Sequence, residues 1–140
     1  MQATFVIGVY LLPASAISSS YIYLGLALRK ALAIDLHLET EEVNASDAEK
    51  ELRRRLWWAV YTLEKYADIA DMALNVVTDA DHRCTTVKLN RPRSVDTAII
   101  TVNLPSPLPT LDVQQAFNNV DHQLANAQLM MILDRVEAYE

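Results

Sequence analysis

The 140-residue sequence is poor in cysteine and glycine, and each shortage excludes a class of site. Its single cysteine, Cys84, excludes an internal disulfide and any multi-cysteine zinc cluster held within this chain. Its two glycines, Gly8 and Gly25, are too few for a glycine-rich loop that cradles a nucleotide phosphate. Neither the HExxH zinc motif nor a nucleophile elbow occurs, so we do not expect an enzyme, and we expect no cofactor in this chain.

Positive charge is also scarce. The net charge is −6 and the pI is about 5.0, which is the wrong sign for a surface that binds nucleic acid. Apolar residues make up 51% of the chain, enough for the core of one domain. Composition therefore favours a single globular domain without direct DNA contact.

The apolar stretch over residues 3–12 ends at Pro13, and we expect a short buried helix there. The alternative is a secretory leader or membrane anchor, because small residues follow Pro13. A leader needs a basic region before its apolar core, and no basic residue precedes Phe5. The stretch is also shorter than the ~20 residues that span a bilayer.

The most informative block is Glu51-Leu-Arg-Arg-Arg-Leu-Trp-Trp58. Ser46 and Glu49 form a capping box, so we predict a helix from Asp47 to about Tyr66. An apolar stripe follows helical spacing through Leu52, Leu56, Ala59, Leu63 and Tyr66. Adjacent residues point about 100° apart on a helix, so Trp57 and Trp58 do not share that stripe. The helix should therefore be buried on more than one side, as in an all-α domain.

The rest of the chain predicts further helices and one extended segment. Ser20 is a candidate N-cap for a helix from Tyr21 to about Leu38, within which Gly25 suggests a close helix crossing. Residues 95–110 should form a proline-rich extended strap between the last two helices, because its prolines forbid a helix. Asp112 should cap the last helix, whose apolar stripe contains Val113, Phe117, Val120, Leu124, Ala127 and Met131.

Three blocks resemble the middle regulatory domain of fungal binuclear zinc-cluster transcription factors, the fungal-specific, xylanolytic-activator-type domain. Residues 51–58 are similar to its E-x-R-R-R-L-W-W signature, and residues 24–39 to its preceding L-G-x-A-x-R-x-A-x-x-L-G-L-H-x-E helix. Asn90-Arg91-Pro92 resembles its G-R-P turn, and Ile100, Val102 and Pro105 match its I-x-V-x-x-P segment. Residues 67–88 are an atypical insertion relative to that pattern, for which a gene-model error is one hypothesis.

The resemblance implies that residues 1–140 are a partial regulatory domain with a structural signature. The signature residues are Glu51, Arg53, Arg54, Arg55, Trp57, Trp58, Arg91 and Pro92. The complete protein would act in the nucleus on RNA polymerase II transcription, and it would bind DNA and zinc through a missing upstream module. Partners of this chain would be other domains of the same factor or co-regulators, with a small-molecule effector or a homodimer as further options.

Other interpretations compete with this one. The three arginines are a candidate phosphate-binding patch, but successive helix residues fan out and acidic residues are near enough to pair with them. The two tryptophans are candidates for ligand stacking, although core packing is the more common role. His82 and Cys84, with Asp79 and Asp81, are too few for a closed zinc site. Among whole-protein functions, a stand-alone helical interaction module, a non-functional remnant, and a secreted or membrane helical protein stay open.

Overall fold

The computed structural model describes residues 1–12, 17–41, 44–78, 95–113 and 119–137. Over these ranges the chain forms helices and no strand, which confirms the predicted all-α class. The helices are α1 Gln2–Leu11, α2 Ile17–Ala33, α3 Asp47–Thr78, α4 Pro109–Asp112 and α5 Val120–Glu137, with a 3₁₀ turn at Thr97–Ile99. In sequence order, α1 packs on α2, α2 on α3, and α3 on α5. No helix in the described ranges is both long and apolar enough to cross a membrane.

The close contact between α1 and α2 is made at Gly8. A Cβ atom on Gly8 would lie 2.7 Å from Cγ of Leu24 and 3.2 Å from the Leu24 backbone nitrogen. A Cβ atom on Gly25 would meet only an Arg29 guanidinium nitrogen, at 3.4 Å. The prediction of a close crossing at Gly25 was therefore wrong, and the crossing lies one residue away, at Leu24. The prediction of a buried first helix was also wrong, because Gly8 is its one buried residue.

The second helix begins earlier and ends earlier than predicted. Ser20 is not its N-cap: it lies inside α2, is fully buried, and donates a hydrogen bond to the Gly8 carbonyl at 2.7 Å. The helix ends in a Schellman motif, in which Asp35 N–H donates to Leu32 O and Leu36 N–H donates to Ala31 O, each at 3.0 Å. Asp35 has φ 54°, the left-handed conformation that such a motif requires.

The third helix begins where the capping box predicted, and it supplies the largest fully buried side chain of the described core, Trp57. Ser46 Oγ accepts the Glu49 N–H at 3.3 Å, and Glu49 Oε2 accepts the Ser46 N–H at 2.9 Å. The helix runs on to Thr78, twelve residues beyond Tyr66, so part of the atypical segment 67–88 is helical. Its buried apolar residues include both tryptophans, Val60 and Tyr61. The idea that 67–88 is a gene-model error stays a prediction.

The apolar stripe predicted along α3 is not the buried face. Leu52 is 48% exposed and Tyr66 is 55% exposed, while Leu56, Ala59 and Leu63 are half-buried. The opposite side carries buried polar residues among the aromatics, namely Glu51, Arg55, Glu64 and Lys65. Partners from distant segments pair with Glu51, Arg55 and Lys65, so burying these three groups is not prohibitive.

An extended strap crosses the bundle at residues 100–108, which confirms the middle of the predicted segment 95–110. Both ends of that prediction were wrong, because residues 97–99 form a 3₁₀ turn and Pro109 opens α4 at the first helical position, where proline is tolerated. The carbonyl of His37 accepts the N–H groups of both Thr101 and Val102 at 3.0 Å. Ile100, Val102 and Leu104 pack on the core formed by α2, α3 and α5. The strap thus links the end of α2 to α3.

The last long helix starts later than predicted. Asp112 is the final residue of the single turn α4, and Val113 is 86% exposed instead of lying on an apolar stripe. The Asp112 carboxylate accepts the N–H of Leu108, the N-cap of α4, at 2.8 Å and also pairs with Arg55, so it binds the start of α4 and does not cap α5. The long helix α5 begins at Val120, with Val120, Ala127 and Met130 buried.

Candidate functional site

The arginine–tryptophan block lies in the middle of the bundle, at the crossing of α3 and the strap. The side chain of Arg55 is almost fully buried and makes contacts on three sides. Its Nε donates to Glu51 Oε1 at 2.8 Å, one helical turn earlier. One terminal nitrogen donates to Asp112 Oδ1 at 2.8 Å, and the other donates to the Ser106 carbonyl at 3.0 Å. Arg55 therefore ties α3 to both the strap and α4.

Glu51 is the acceptor at the centre of this cluster. It is 2% exposed, and its two oxygens accept the Ser106 N–H at 2.9 Å and the Ser106 hydroxyl at 3.0 Å. Arg54 lies 3.5 Å from the same carboxylate. A buried carboxylate is tolerable only with such charged and hydrogen-bonded partners.

Arg54 makes a second ion pair, with the segment that follows α2. Its Nε lies 3.1 Å from both Glu39 oxygens, and a terminal nitrogen lies 2.6 Å from Oε1. Glu39 Oε2 also accepts the Asn103 N–H of the strap, at 2.8 Å. The predicted pairing of the arginine block with nearby acidic residues is thus confirmed for Arg54 and Arg55.

The two tryptophans are both core residues, but they differ in polar contacts. Trp58 Nε1 donates to the Asn103 carbonyl at 2.9 Å and so holds the strap. Trp57 is fully buried, and its ring stacks on Tyr61 and lies near His37, with centroids 6.0 and 5.8 Å apart. Within the part of the chain that the structure describes, Trp57 Nε1 has no hydrogen-bond acceptor. Neither indole is open for a ligand to stack on.

Arg53 is set apart from its two neighbours. It is half-buried, and a terminal nitrogen donates a weak 3.4 Å hydrogen bond to the Asp35 carbonyl. It borders an open groove of about 440 Å³, together with Thr40, Asn44, Ala45, Glu49 and Leu52. The three arginines therefore point in different directions and form no single basic face.

A second buried polar cluster joins α3 to α5, and the sequence had not suggested it. The Tyr61 hydroxyl donates to Asp134 Oδ2, and Lys65 Nζ lies 2.7 Å from Asp134 Oδ1. Asp134 is 1% exposed. Each residue alone resembles an ordinary surface residue in sequence. An Asp in the apolar run of α5 was the one available signal.

The ion pairs shift the titration of two carboxyl groups. The hydrogen bonds from Arg54 lower the pKa of Glu39 below its ordinary value of 4.5, and the Asn103 N–H acts in the same direction. The hydrogen bond from Arg55 likewise lowers the pKa of Asp112 below 3.8, and the Leu108 N–H adds to this effect. Both carboxylates are therefore charged in the folded protein at neutral pH.

Several predicted residues fall outside the described ranges. These are Arg91 and Pro92 of the signature, and the weak metal candidates Asp79, Asp81, His82 and Cys84. Among the described side chains, no three His, Cys, Asp or Glu residues are grouped so as to hold a metal ion. The structure thus brings together Glu51, Arg54, Arg55 and Trp58 around the strap, with Arg53 and Trp57 beside them.

Comparison with known proteins identifies a family. The Fungal specific transcription factor domain matches residues 1–69. An uncharacterized transcriptional regulatory protein of Schizosaccharomyces pombe is 30% identical over 135 residues, which are 96% of this chain and 15% of that protein. The thiamine repressible genes regulatory protein thi1 of the same species is 26% identical over 97% of this chain and 15% of its own length.

A shorter match points the same way. Transcription factor FBD3 of Fusarium pseudograminearum is 41% identical over 46 residues, which are 33% of this chain and 6% of that protein. No solved structure matches the chain. The chain therefore spans only about 15% of the length of the two relatives that it matches almost end to end. The family model over residues 1–69 and the two relatives that match almost the whole chain lead to one assignment: the chain carries part of a fungal specific transcription factor domain.

Proposed function

We propose that this chain is part of the regulatory middle region of a nuclear transcription factor that controls RNA polymerase II transcription. In this role it regulates and does not catalyse, and other parts of the polypeptide bind DNA and zinc. The observation that carries the proposal is the pairing of Arg54 and Arg55 with carboxylates of the bundle. Arg54 and Arg55 are paired with Glu39, Glu51 and Asp112, so they are scaffold and not a nucleic-acid surface.

Electrostatics supports this assignment. Phosphate contacts from Arg and Lys supply most of the affinity of proteins for DNA. For Arg55 to reach a phosphate, it would have to leave Asp112 without its cation and Glu51 with only the more distant Arg54, which is unfavourable. The net charge of −6 further repels a polyanion.

The test is a fluorescence-anisotropy titration of the 140-residue chain with duplex DNA at physiological salt. We expect no binding up to about 10⁻⁵ M, because even non-specific DNA-binding proteins reach Kd values of 10⁻⁴–10⁻⁶ M. Arg53→Glu is the matched variant, since Arg53 alone among the three arginines makes no ion pair in the described structure. Tight, salt-sensitive binding that Arg53→Glu abolishes would contradict the proposal.

The exposed apolar residues suggest what this region contacts. Many of them lie on α1, α2 and α5, including Val6, Tyr10, Ile22, Leu26, Leu129 and Ile132. Surfaces of this kind mark contact sites in folded proteins. Because relatives extend far beyond the matched region, we assign these faces to the remainder of the regulatory domain in the same polypeptide.

Hydrogen exchange tests this assignment in the full-length protein and in the 140-residue chain. We expect the amides of α1 and α5 to be protected about tenfold or more in the full-length protein, because contact across these faces suppresses local opening. Amides in the middle of α3 serve as the internal control. Equal exchange in both proteins would contradict the assignment and favour a co-regulator, a second copy or an effector as the occupant.

A further inference from the structure

Ser106 stands out because its sequence context differs from that of every other serine and threonine, and because all its polar groups contact α3. It is the one serine or threonine in the 140-residue sequence that is followed by proline. Pro105, Pro107 and Pro109 surround it, and proline holds the backbone near the extended polyproline conformation. Ser106 and Pro107 are both exposed on the strap. An exposed Ser-Pro in an extended segment is the form of substrate that proline-directed protein kinases read.

The strap depends on Ser106 for its attachment to α3. Its N–H and its hydroxyl donate to the two Glu51 oxygens at 2.9 and 3.0 Å, and its carbonyl accepts from Arg55 at 3.0 Å. All three polar groups of this one residue therefore bind the buried cluster. A change at the hydroxyl acts directly on the contact between strap and helix.

The space beside Ser106 is large enough for a phosphate group, but the charges around it do not favour one. A cavity of about 210 Å³ borders the residue and is lined by Asp47, Lys50, Glu51, Arg54, Ser106 and Leu108. Its two cations are matched by two carboxylates, and Arg54 already pairs with Glu39. A phosphoserine carries about −1.5 to −2 charge at pH 7 and no longer has a hydroxyl proton to donate. Next to the buried Glu51 carboxylate this produces repulsion where a hydrogen bond stood.

We propose that Ser106 is the target of a proline-directed protein kinase, and that phosphorylation detaches the strap from α3 at Ser106, while Asn103 stays bound to Trp58. In the reaction, Ser106 Oγ forms a bond to the γ-phosphorus of ATP. The bond from that phosphorus to the β–γ bridging oxygen breaks, ADP leaves with the electron pair, and the hydroxyl proton passes to the base of the kinase. This regulation acts on the strap whatever genes the complete protein controls.

The first test measures phosphate transfer to the 140-residue chain from ATP and a purified proline-directed kinase, by intact-mass and fragmentation mass spectrometry. We expect one phosphate on Ser106, and none in Ser106→Ala or Pro107→Ala. Pro107→Ala is the sharper control because it keeps the hydroxyl and changes only an exposed side chain. A synthetic peptide of residues 100–113 controls for kinase activity. If the peptide is phosphorylated and the folded chain is not, or if Ser106→Ala is modified equally, the proposal is overturned.

The second test measures hydrogen exchange in the phosphorylated and unmodified chains. We expect the Ser106 amide to exchange about tenfold faster after phosphorylation, since its acceptor Glu51 is then repelled. The amides of Thr101 and Val102, held by the His37 carbonyl, should keep their protection and serve as the internal control. Glu51→Gln should reduce the difference, because it removes the repelling charge and keeps an acceptor. If the Ser106 amide exchanges at the same rate after phosphorylation, the proposed release of the strap from α3 is overturned.

Discussion

Lys65 Nζ lies 2.7 Å from Asp134 Oδ1, and this pair joins α3 to α5 inside the bundle. Tyr61 donates to the other oxygen of the same carboxylate. All three residues are buried, so the pair is screened little by water. The contact between these two helices therefore depends on a charge pair as well as on apolar packing.

Removing one partner of this pair should lower the free energy of unfolding much more than replacing all three residues of the cluster with apolar ones. Asp134→Ala leaves Lys65 buried without its counter-ion, and we expect a loss of about 3–5 kcal/mol in the free energy of unfolding. The triple variant Tyr61→Phe, Lys65→Met, Asp134→Leu should return to within about 2 kcal/mol of the wild type, because apolar replacement of a buried pair is often neutral. Urea denaturation measures both. A loss below about 1 kcal/mol in Asp134→Ala would show that the pair contributes little.

The two tryptophans should respond differently to the same substitution. Trp58→Phe removes the hydrogen bond to the Asn103 carbonyl, whereas Trp57→Phe removes an N–H that has no acceptor in the described structure. Both changes delete a similar volume. We therefore expect Trp58→Phe to lower the free energy of unfolding by about 1 kcal/mol more than Trp57→Phe does. Equal losses in thermal or urea unfolding would contradict the assigned role of Trp58.

The two glycines offer an equally direct comparison. Gly8→Ala places a Cβ atom 2.7 Å from Leu24, so we expect a net loss of about 1–2 kcal/mol from overpacking. Gly25→Ala creates no such steric clash, so helix propensity should raise the free energy of unfolding by up to about 1 kcal/mol. Thermal melting of the two variants measures the difference. If Gly8→Ala proves the more stable variant, α1 and α2 do not cross where the structure places them.

Lowering the pH should reduce the free energy of unfolding, because Glu39 and Asp112 become protonated. The folded-state pKa of Glu39 lies below 4.5 and that of Asp112 below 3.8, so both groups bind protons more readily in the unfolded chain. Their contribution to stability is full above these ordinary values and declines as the pH falls through the folded-state pKa values. Urea midpoints between pH 7 and pH 3 should fall accordingly. Glu39→Gln should be less stable at pH 7 and should lose less on acidification, and an unchanged pH dependence would contradict the role of this pair.

The capping box in the sequence was a reliable signal, whereas single cap residues and signals that depend on distant partners were not. Ser46 and Glu49 placed the start of α3 correctly, because a capping box involves residues only three positions apart. The apolar stripe from Leu52 to Tyr66 misled, because periodicity treats every charged residue as solvent-exposed. Glu51 is buried because Ser106, 55 residues later, supplies its hydrogen bonds, and no local pattern indicates that pairing.

The end of α2 illustrates the same limit. The family pattern has glycine where this chain has Asp35, and the residue adopts the left-handed conformation that glycine takes most easily. The turn that ends α2 therefore lies where the family pattern has its glycine, although this chain has Asp35 at that position. Ser20, in contrast, resembled an N-cap by type alone, and the local sequence did not reveal the Gly8 carbonyl that accepts its hydrogen bond.

The strap binds the segment after α2 through His37 and Glu39, and it binds α3 through Glu51, Arg55 and Trp58. No described strand ladder supports it, so its adhesion comes chiefly from side chains of its neighbours. Contact with the segment after α2 is made by Thr101, Val102 and Asn103, and contact with α3 is made by Asn103 and Ser106. The two attachments can therefore open separately, so a signal at one end of the strap need not disturb the other end.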